Sequence, residues 1–256
     1  MIDCHCHILP GLDDGAKSLA HSIEMARTAV DEGITTIIAT PHHENPYFNS
    51  TSEQMLNGVQ ELNRALEAEG IPLEIMPGQE IRMFGDLLKH LSLGYSVPLS
   101  GSGRYVLLEF PTNSVPAYTE RLLYDLAVQG YIPVIAHPER NKVFLDKPEK
   151  LFNFVQNGAL TQITTSSLTG DFGKNIQTFT NQLIEANQAH ILASDAHNLE
   201  ARTFRMKKAF ELIEHSYGND LVYDLQLNAE CILLNKNIVV EPPSHVKKRK
   251  IFSFFR

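Results

Sequence analysis

The chain alternates strand-like and helix-like segments about seven times, and this order constrains its fold more than any single motif. The predicted strands cover residues 2–8, 34–41, 73–80, 104–110, 131–137, 160–164 and 190–197. The predicted helices cover residues 18–32, 51–70, 86–91, 117–129, 147–157, 172–187 and 200–216. Because the strands are continuous apolar runs rather than alternating ones, they indicate a parallel sheet covered by helices. We therefore predict an α/β protein with a single domain, folded as a closed or nearly closed (β/α) barrel.

Composition argues against several classes of protein. A formal charge of −8 disfavours a nucleic-acid partner, because phosphate backbones require a basic surface. The first residues lack the features of a signal peptide, and no apolar run reaches the length of a membrane span. Cys4 and Cys6 are too close on one strand to form a disulfide with each other, which indicates a reducing compartment. The expected location is the cytoplasm.

Metal-binding residue types recur where the predicted strands end. Nine candidate ligands come from six of the seven units: His5, His7, Asp14, His42, Glu80, Glu109, His137, Asp195 and His197. The carboxyl ends of barrel strands form one face, where active sites are built. A single histidine there is more often a core residue, but that explanation is improbable for all nine. The sequence therefore predicts a metal centre at this face.

The donor types limit the metal and the chemistry. Five imidazoles and four carboxylates suit Mn, Fe or Zn, and they can hold two or three ions if Glu80 bridges. Three divalent ions and four carboxylates leave a formal charge of about +2, which a phosphate monoester dianion neutralises. Arg140 and Arg202 follow ligand candidates at the same face and suit phosphate oxygens. We predict that Arg140, Arg202 and His42 take part in catalysis.

The first strand, residues 3–7 "DCHCH", contains cysteines as well as histidines. Since successive side chains of a strand point to opposite faces, we expect His5 and His7 to face the site. Cys4 and Cys6 are then expected to pack under helices. Of the two following aspartates, Asp14 is the predicted ligand and Asp13 a predicted loop residue.

Several motifs together resemble the polymerase-and-histidinol-phosphatase (PHP) superfamily of metal hydrolases. These are "HCH" at 5–7, "PHH" at 41–43, "GQE" at 78–80, "EF" at 109–110, "HPER" at 137–140 and "SDAHN" at 194–198. The opening "MIDCHCHILPGLDDGAKS" is similar to the manganese-dependent tyrosine-protein phosphatases of bacterial capsule and exopolysaccharide operons. The resemblance implies a distorted (β/α)7 TIM-like barrel with three ions, expected to be Mn²⁺. It also implies a phosphotyrosine substrate on a bacterial tyrosine kinase that regulates polysaccharide export.

The resemblance further implies how the ligands divide. His5, His7, Glu80 and Asp195 would hold one ion, and Glu80, Glu109 and His137 a second. Asp14, His42 and His197 would hold the third, while Arg140 and Arg202 would bind phosphate. Three alternative functions stay open: a histidinol-phosphate type phosphatase, a metal-binding regulator without catalysis, and an exonuclease-like domain.

The predicted phosphatase domain covers residues 1–240, and a basic and aromatic tail covers residues 241–256. The segment 246–256, "VKKRKIFSFFR", combines four consecutive basic residues with three phenylalanines. Such a segment suits weak contact with anionic lipid at the inner face of the cell membrane, or with a membrane kinase.

Overall fold

The computed structural model describes residues 1–247. Residues 248–256, which contain most of the predicted basic and aromatic tail, lie outside the described residues. The strands of the described part all pair in parallel, in two sheets ordered β1-β2-β4 and β3-β5-β6-β7-β8-β9. Their bounds are β1 Ile2–Cys6, β2 Thr36–Ala39, β3 His42–His43, β4 Glu74–Pro77, β5 Glu80–Arg82, β6 Tyr105–Glu109, β7 Ile132–Ala136, β8 Leu160–Thr164 and β9 Ile191–Ala193.

The two sheets join into one ring of seven positions. β2 and β3 occupy one position because β3 continues the line of the predicted strand 34–41 after a break at residues 40–41. β5 continues the predicted strand 73–80 in the same way after a break at residues 78–79. The chain after β9 pairs with β1, where the Asp195 N–H donates to the His5 carbonyl at 2.8 Å and the His7 N–H to the Ala196 carbonyl at 2.9 Å. The fold is therefore a distorted (β/α)7 TIM-like barrel, as predicted.

Gly78 explains why the strand at the third position of the ring is interrupted between β4 and β5. A Cβ atom at Gly78 would lie 2.9 Å from the Cγ2 atom of Ile38 and 3.4 Å from the carbonyl oxygen of Ala39. A larger residue would force the neighbouring strand away, so the chain passes close here only because the position is glycine. The strand resumes as β5 with Glu80 as its first residue.

Ten α-helices of the described residues surround or close the ring. They are α1 Leu19–Asp31, α2 Ser52–Ala68, α3 Leu87–Ser92, α4 Thr119–Val128, α5 Lys142–Asp146, α6 Pro148–Gln156, α7 Thr165–Thr169, α8 Lys174–Glu185, α9 Met206–Tyr217 and α10 Asn219–Leu233. The predicted capping box of α2 is present, since the Thr51 side chain accepts from the Gln54 N–H and the Gln54 side chain from the Thr51 N–H. The helix expected over 200–216 begins only at Met206, after Arg205 adopts a left-handed φ of 55°. Helix α10 was not predicted.

Helix α10 closes the amino-terminal end of the barrel. Its Ala229 and Ile232 pack in an apolar cluster with residues of six strands, among them Cys4, Ile38, Leu107, Val134, Leu160 and Ile191. After the helix, the Asn235 side-chain oxygen accepts from the Arg104 N–H at 3.1 Å. The interior of the ring is therefore dry and sealed at this end.

The expectation for Cys4 was wrong. Cys6 lies in the outer cluster under the helices, as predicted, but Cys4 lies in the apolar cluster inside the ring. The reason is a shift in register, because Asp3 pairs with Ile37 while Cys6 pairs with Ala39. One extra residue on β1 breaks the strict alternation of faces on which the expectation rested.

The described part of the predicted tail contacts the barrel. The Ser244 N–H donates to the Ala186 carbonyl at 2.8 Å, and the Gln188 side-chain amide donates to the Ser244 carbonyl at 2.7 Å. The His245 ring lies against Phe152, with ring centroids 3.8 Å apart. Within residues 1–247, none of the helices has the length and hydropathy that a membrane crossing needs.

Candidate metal centre at the carboxyl ends of the strands

All nine predicted ligands converge at the carboxyl-terminal mouth of the barrel. At its centre the Nε2 atoms of His5 and His7 lie 3.2 Å apart. Glu80 Oε2 lies 3.4 and 3.3 Å from these two nitrogens, and Asp195 Oδ1 lies 3.3 and 3.4 Å from them. Two imidazoles and two carboxylates thus face one small volume, as the resemblance implied for the first ion.

The remaining candidates surround Glu80 on its other sides. The His137 Nε2 atom lies 2.7 Å from Glu80 Oε1, and the His42 Nδ1 atom lies 2.9 Å from Glu80 Oε2 and 3.9 Å from Glu109 Oε2. The His42 Nδ1, Glu80 and Glu109 atoms form a possible ion site with all separations within 4.8 Å. Glu80 therefore contacts members of all three predicted ligand groups, a central position that suits a bridging carboxylate.

A third group lies at the solvent edge of the mouth. Asp14 Oδ1 lies 3.5 Å from His42 Nε2 and 3.4 Å from His197 Nε2. The His197 ring stacks on His7 with centroids 3.7 Å apart, and His7 joins these three residues within 4.8 Å. This arrangement matches the predicted third ligand set and adds His7 to its surroundings.

Buried polar atoms at the mouth fit a divalent metal centre. Among the described residues, His42 Nδ1, Glu80 Oε2 and His197 Nε2 are buried and have no hydrogen-bond partner. The first two atoms are only 2.9 Å apart, yet their orientation is not that of a hydrogen bond. An unpaired buried polar group costs about 1–3 kcal/mol, and a cation that accepts both lone pairs removes that cost. The mixed nitrogen and oxygen donors suit Mn, Fe or Zn.

The charges of the cluster keep its carboxyl groups ionised. Burial raises the pKa of Asp195, but the charges of Arg140, His5 and Arg202 outweigh it and hold that pKa well below its usual range. Burial has the same effect on Asp14, but hydrogen bonding and charge from His197 lower its pKa to about 2. Ionised carboxylates are the form that binds metal.

The histidines of the cluster differ in protonation. Burial lowers the pKa of His197 to about 4, and the charge of His7 acts in the same direction. Burial also lowers the pKa of His7, but the Asp13 carboxylate more than compensates and raises it well above its usual value. His197 is therefore ready to bind a metal at neutral pH, whereas His7 must lose a proton.

Both predicted phosphate-binding arginines lie at the mouth. The Arg140 guanidinium donates to Asp195 Oδ2 at 2.5 Å. Arg202 donates to the same oxygen at 3.1 Å and to Asp14 Oδ2 at 3.4 Å. The Phe172 ring lies beneath Arg140, with its centroid 5.4 Å from the guanidinium carbon, and favours the cation at this position.

Two predicted ligands have strained backbones. His137 has a φ of 33° and Asp195 a φ of 51°, which lie in the left-handed region that residues other than glycine rarely adopt. The turn after His137 is held by Glu139, whose buried carboxylate accepts from the Thr164 N–H at 2.9 Å and the Ser167 hydroxyl at 2.7 Å. Such strain is typical of functional sites, where the surrounding structure imposes it.

Asp13 lies in the loop after β1, as predicted, but its contacts with two candidate ligands were not predicted. Its carboxylate lies 2.6 Å from His7 Nδ1 and accepts from the His42 N–H at 3.0 Å. Gly15 makes this approach possible, because a Cβ atom there would lie 2.1 Å from the His7 carbonyl oxygen. Asp13 thus orients one candidate ligand and fixes the backbone of another.

Three more residues support the candidates and were not predicted. Gln162 Oε1 lies 2.9 Å from His5 Nδ1, Arg82 contacts Glu109 Oε1 at 3.0 Å, and the Asn45 amide donates to Glu109 Oε2 at 3.3 Å. Gln162 had a sequence signal, since it is the one amide side chain in the strand "LTQIT". Arg82 and Asn45 had none, because only the tertiary fold brings them to Glu109.

A cavity of about 290 Å³ opens over the cluster. Its polar side is formed by candidate ligands together with Arg140 and Arg202. Its lining also includes Phe110, Phe144 and Ala136. The cavity therefore combines charged and apolar lining residues over the cluster.

Comparison with known proteins decides the family. The family model described as capsular polysaccharide synthesis, CpsB/CapC, matches residues 1–234. The chain belongs to this CpsB/CapC family. Among its relatives, the tyrosine-protein phosphatase YwqE of Bacillus subtilis is 48% identical over 255 residues, covering 100% of both chains.

More distant members and a solved structure agree. The tyrosine-protein phosphatase CpsB of Streptococcus agalactiae is 28% identical over 244 residues, covering 93% of this chain and 100% of that one. A structure from work on YwqE of Bacillus subtilis and CpsB of Streptococcus pneumoniae, described as unique metal-dependent tyrosine phosphatases, superposes with a TM-score of 0.94. It is 48% identical to this chain and covers 97% of it and 100% of its own length.

Proposed function

We propose that this protein is a metal-dependent protein-tyrosine phosphatase. The observation that carries the proposal is the convergence of nine metal-competent side chains and two arginines at one mouth of the barrel, in a chain of the CpsB/CapC family. The substrate is phosphotyrosine on a bacterial tyrosine kinase that regulates capsule or exopolysaccharide synthesis. Family members named tyrosine-protein phosphatases support this substrate class.

The metal centre of the proposal contains three Mn²⁺ ions. His5, His7, Glu80 and Asp195 would hold one ion, Glu80, Glu109 and His137 a second, and Asp14, His42 and His197 a third. When bound, such ions lower the pKa of a water molecule and neutralise charge on the phosphate. Fe or Zn suits the same donors, and metal supply in the cell decides between them.

Arg140 and Arg202 bind and orient the phosphate group. Each guanidinium has five N–H donors, and only some of them are used on Asp195 and Asp14. The Arg202 Nε atom is buried and has no hydrogen-bond partner within the described chain. Because an arginine can hold two oxygens of a phosphate at once, the pair fixes its orientation for attack.

The aromatic side of the cavity receives the tyrosyl ring. Phe110 and Phe144 are among its lining residues and would exclude water from the ester. The leaving group is a phenolate, and with a pKa of about 10 it needs less protonation than an alkoxide does. For this reason the proposal assigns no general acid.

Substrate comparison tests the proposal. Mn²⁺-loaded protein is assayed for phosphate release from a phosphotyrosine peptide, the matched phosphoserine peptide and histidinol phosphate, and for nucleotide release from single-stranded DNA. We expect the phosphotyrosine peptide to have the highest kcat/KM. Faster turnover of histidinol phosphate, or degradation of the DNA, would replace the proposal with one of the other hydrolases. Tight binding of the peptide without phosphate release would favour a regulator without catalysis.

The tail contributes a further part of the proposal, a weak contact with anionic membranes. The segment 246–256 contains four consecutive basic residues, each worth about 1 kcal/mol near an anionic surface. Co-sedimentation with phosphatidylserine liposomes compares the full chain with a chain ending at residue 245. The truncated chain is expected to remain in the supernatant, and equal partitioning of the two chains would remove this part of the proposal.

A further inference from the structure

A second cluster of metal-competent residues lies outside the mouth. His43 follows His42 on β3, so the two side chains point to opposite faces of the strand. His42 faces Glu80, whereas the buried His43 faces His90 of α3, with ring centroids 6.2 Å apart. Glu44 follows directly, and its Oε1 atom lies 3.8 Å from His90 Nδ1.

The hydrogen bonds of His43 determine which of its nitrogens is free. Its Nδ1 atom lies 2.9 Å from the Ser50 carbonyl oxygen, which can only accept, so Nδ1 carries the proton. The Nε2 atom therefore has a lone pair, and it is buried without a hydrogen-bond partner in residues 1–247. A histidine held by a backbone carbonyl in this way is the usual arrangement of a metal ligand.

His90 brings a second unpartnered nitrogen to the same cluster. Its Nδ1 atom is also buried and lacks a hydrogen-bond partner among the described residues. Phe84 and Tyr95 contact the ring edge-on, with centroids 4.8 and 5.6 Å away, and hold its orientation. A metal ion between the two rings would give both unpartnered nitrogens a ligand role.

The backbone fixes the third donor. Glu44 adopts a left-handed φ of 56°, and its N–H donates to the Asn49 side chain at 3.0 Å. This conformation turns the carboxylate toward the two histidines, and one atom from each of the three residues lies within 4.8 Å of the others. A tetrahedral ion with bonds of about 2.1 Å needs donors about 3.4 Å apart, so small side-chain rotations suffice.

We propose that His43, His90 and Glu44 form a second, mononuclear zinc site, separate from the phosphatase centre. Two imidazoles and one carboxylate form a common zinc donor set, and water would fill the fourth position. Nitrogen donors favour Zn²⁺ over Mn²⁺ in the usual order of affinities. The site would tie the segment after β3 to α3. This segment also includes Asn45, which contacts Glu109 at the edge of the mouth.

Zinc counting tests the proposal with matched variants. Full-length protein, H90Q and H215Q are dialysed against the same buffered free Zn²⁺, and zinc per chain is measured by mass spectrometry. His215 is an exposed histidine on α9 far along the chain from this cluster, so H215Q controls for the loss of any histidine. We expect H90Q to hold one zinc fewer than the other two, although zinc also enters the phosphatase centre in all three. The Mn²⁺-dependent activity of H90Q is expected to equal that of the unaltered chain.

Crystallography gives the second readout. Anomalous diffraction from zinc-soaked crystals of the unaltered protein is expected to show a peak between His43 Nε2 and His90 Nδ1. An equal zinc count in H90Q and the unaltered protein would overturn the proposal, as would the absence of that peak in crystals whose main centre contains zinc. If H90Q does not fold, the peak alone decides.

Discussion

The two ends of the barrel are built from the same strands and differ in almost every physical respect. At the amino-terminal end, residues such as Leu107 and Ile191 pack with Ile232 of α10 in a dry apolar cluster. Further along the same strands, Glu109 and the Asp195 that follows β9 face ionised and unpartnered groups at the mouth. The two ends therefore have different roles, one in stability and one in the candidate site. The closed end contributes stability by burying apolar surface, and this offsets the cost of the polar mouth.

Removing charge from the mouth is expected to have the largest effect. In Glu80→Gln the shape is kept, but the carboxylate that contacts two predicted ion positions is lost. Since loss of a residue that only supports a ligand costs 10–100-fold, loss of a bridging ligand is expected to lower kcat/KM by more than about 100-fold. Steady-state kinetics with a phosphotyrosine peptide measures this, and circular dichroism verifies the fold. Activity within tenfold of the unaltered protein would remove Glu80 from the centre.

A cavity at the closed end is expected to act on stability alone. Ile232 is fully buried, and Ile232→Ala should lower the free energy of unfolding by about 2–4 kcal/mol. Urea unfolding of the metal-free protein measures the loss. Turnover per folded molecule should not change well below the unfolding midpoint. A parallel loss of turnover would show that the two ends are coupled.

Asp13 lies between these extremes, because it supports the mouth without being a predicted ligand. Asp13→Asn keeps the size of the side chain but removes the charge that orients His7. We expect the Mn²⁺ affinity to fall by about 10–100-fold, with activity recovering at high Mn²⁺. A Mn²⁺ titration of activity measures it. A loss of activity that high Mn²⁺ does not restore would give Asp13 a direct catalytic role.

The smallest expected effect concerns a titratable group at the closed end. Burial lowers the pKa of His190, at the start of β9, to about 4 from 6.5. The unfolded chain therefore binds a proton between these values and the folded chain does not, so stability falls as the pH drops through this range. From pH 7 to pH 5.5 this amounts to about 1 kcal/mol. Urea unfolding at both pH values should show a loss smaller by that amount in His190→Gln. An equal loss in both proteins would contradict the assignment of this pH dependence to His190.

The alternation of strands and helices predicted the barrel because each apolar run coincides with one position of the ring. Helix α10 was missed, although Leu225, Ala229 and Ile232 have helical spacing, because it follows α9 after Gly218 alone and no strand separates them. The breaks within 34–41 and 73–80 depend on Gly78 passing close to Ile38, a contact between positions 40 residues apart. Contacts between residues so far apart produce no local pattern in the sequence, so the strand breaks could not be predicted from it.

The residues of the candidate site could be predicted where they lie at or just after the carboxyl end of a strand. Every predicted ligand reaches the mouth, since parallel strands place their carboxyl ends together. Residues that support a ligand do not lie at a predictable place along the strands, so the sequence did not identify them. Asp13 and Asp14 are neighbours of one type, and only the fold shows that Asp13 turns inward against His7 while Asp14 stays half-exposed. The register shift in β1 likewise moved Cys4 without moving His5.

Metal reconstitution tests the central claim, that the polar mouth works as a metal-dependent phosphatase centre. The protein is stripped with a chelator, Mn²⁺ is added stepwise, and bound metal per chain is measured beside phosphate release from a phosphotyrosine peptide. We expect no turnover in the stripped protein and full turnover when three ions are bound. Full turnover in the stripped protein, or three bound ions without turnover, would contradict it.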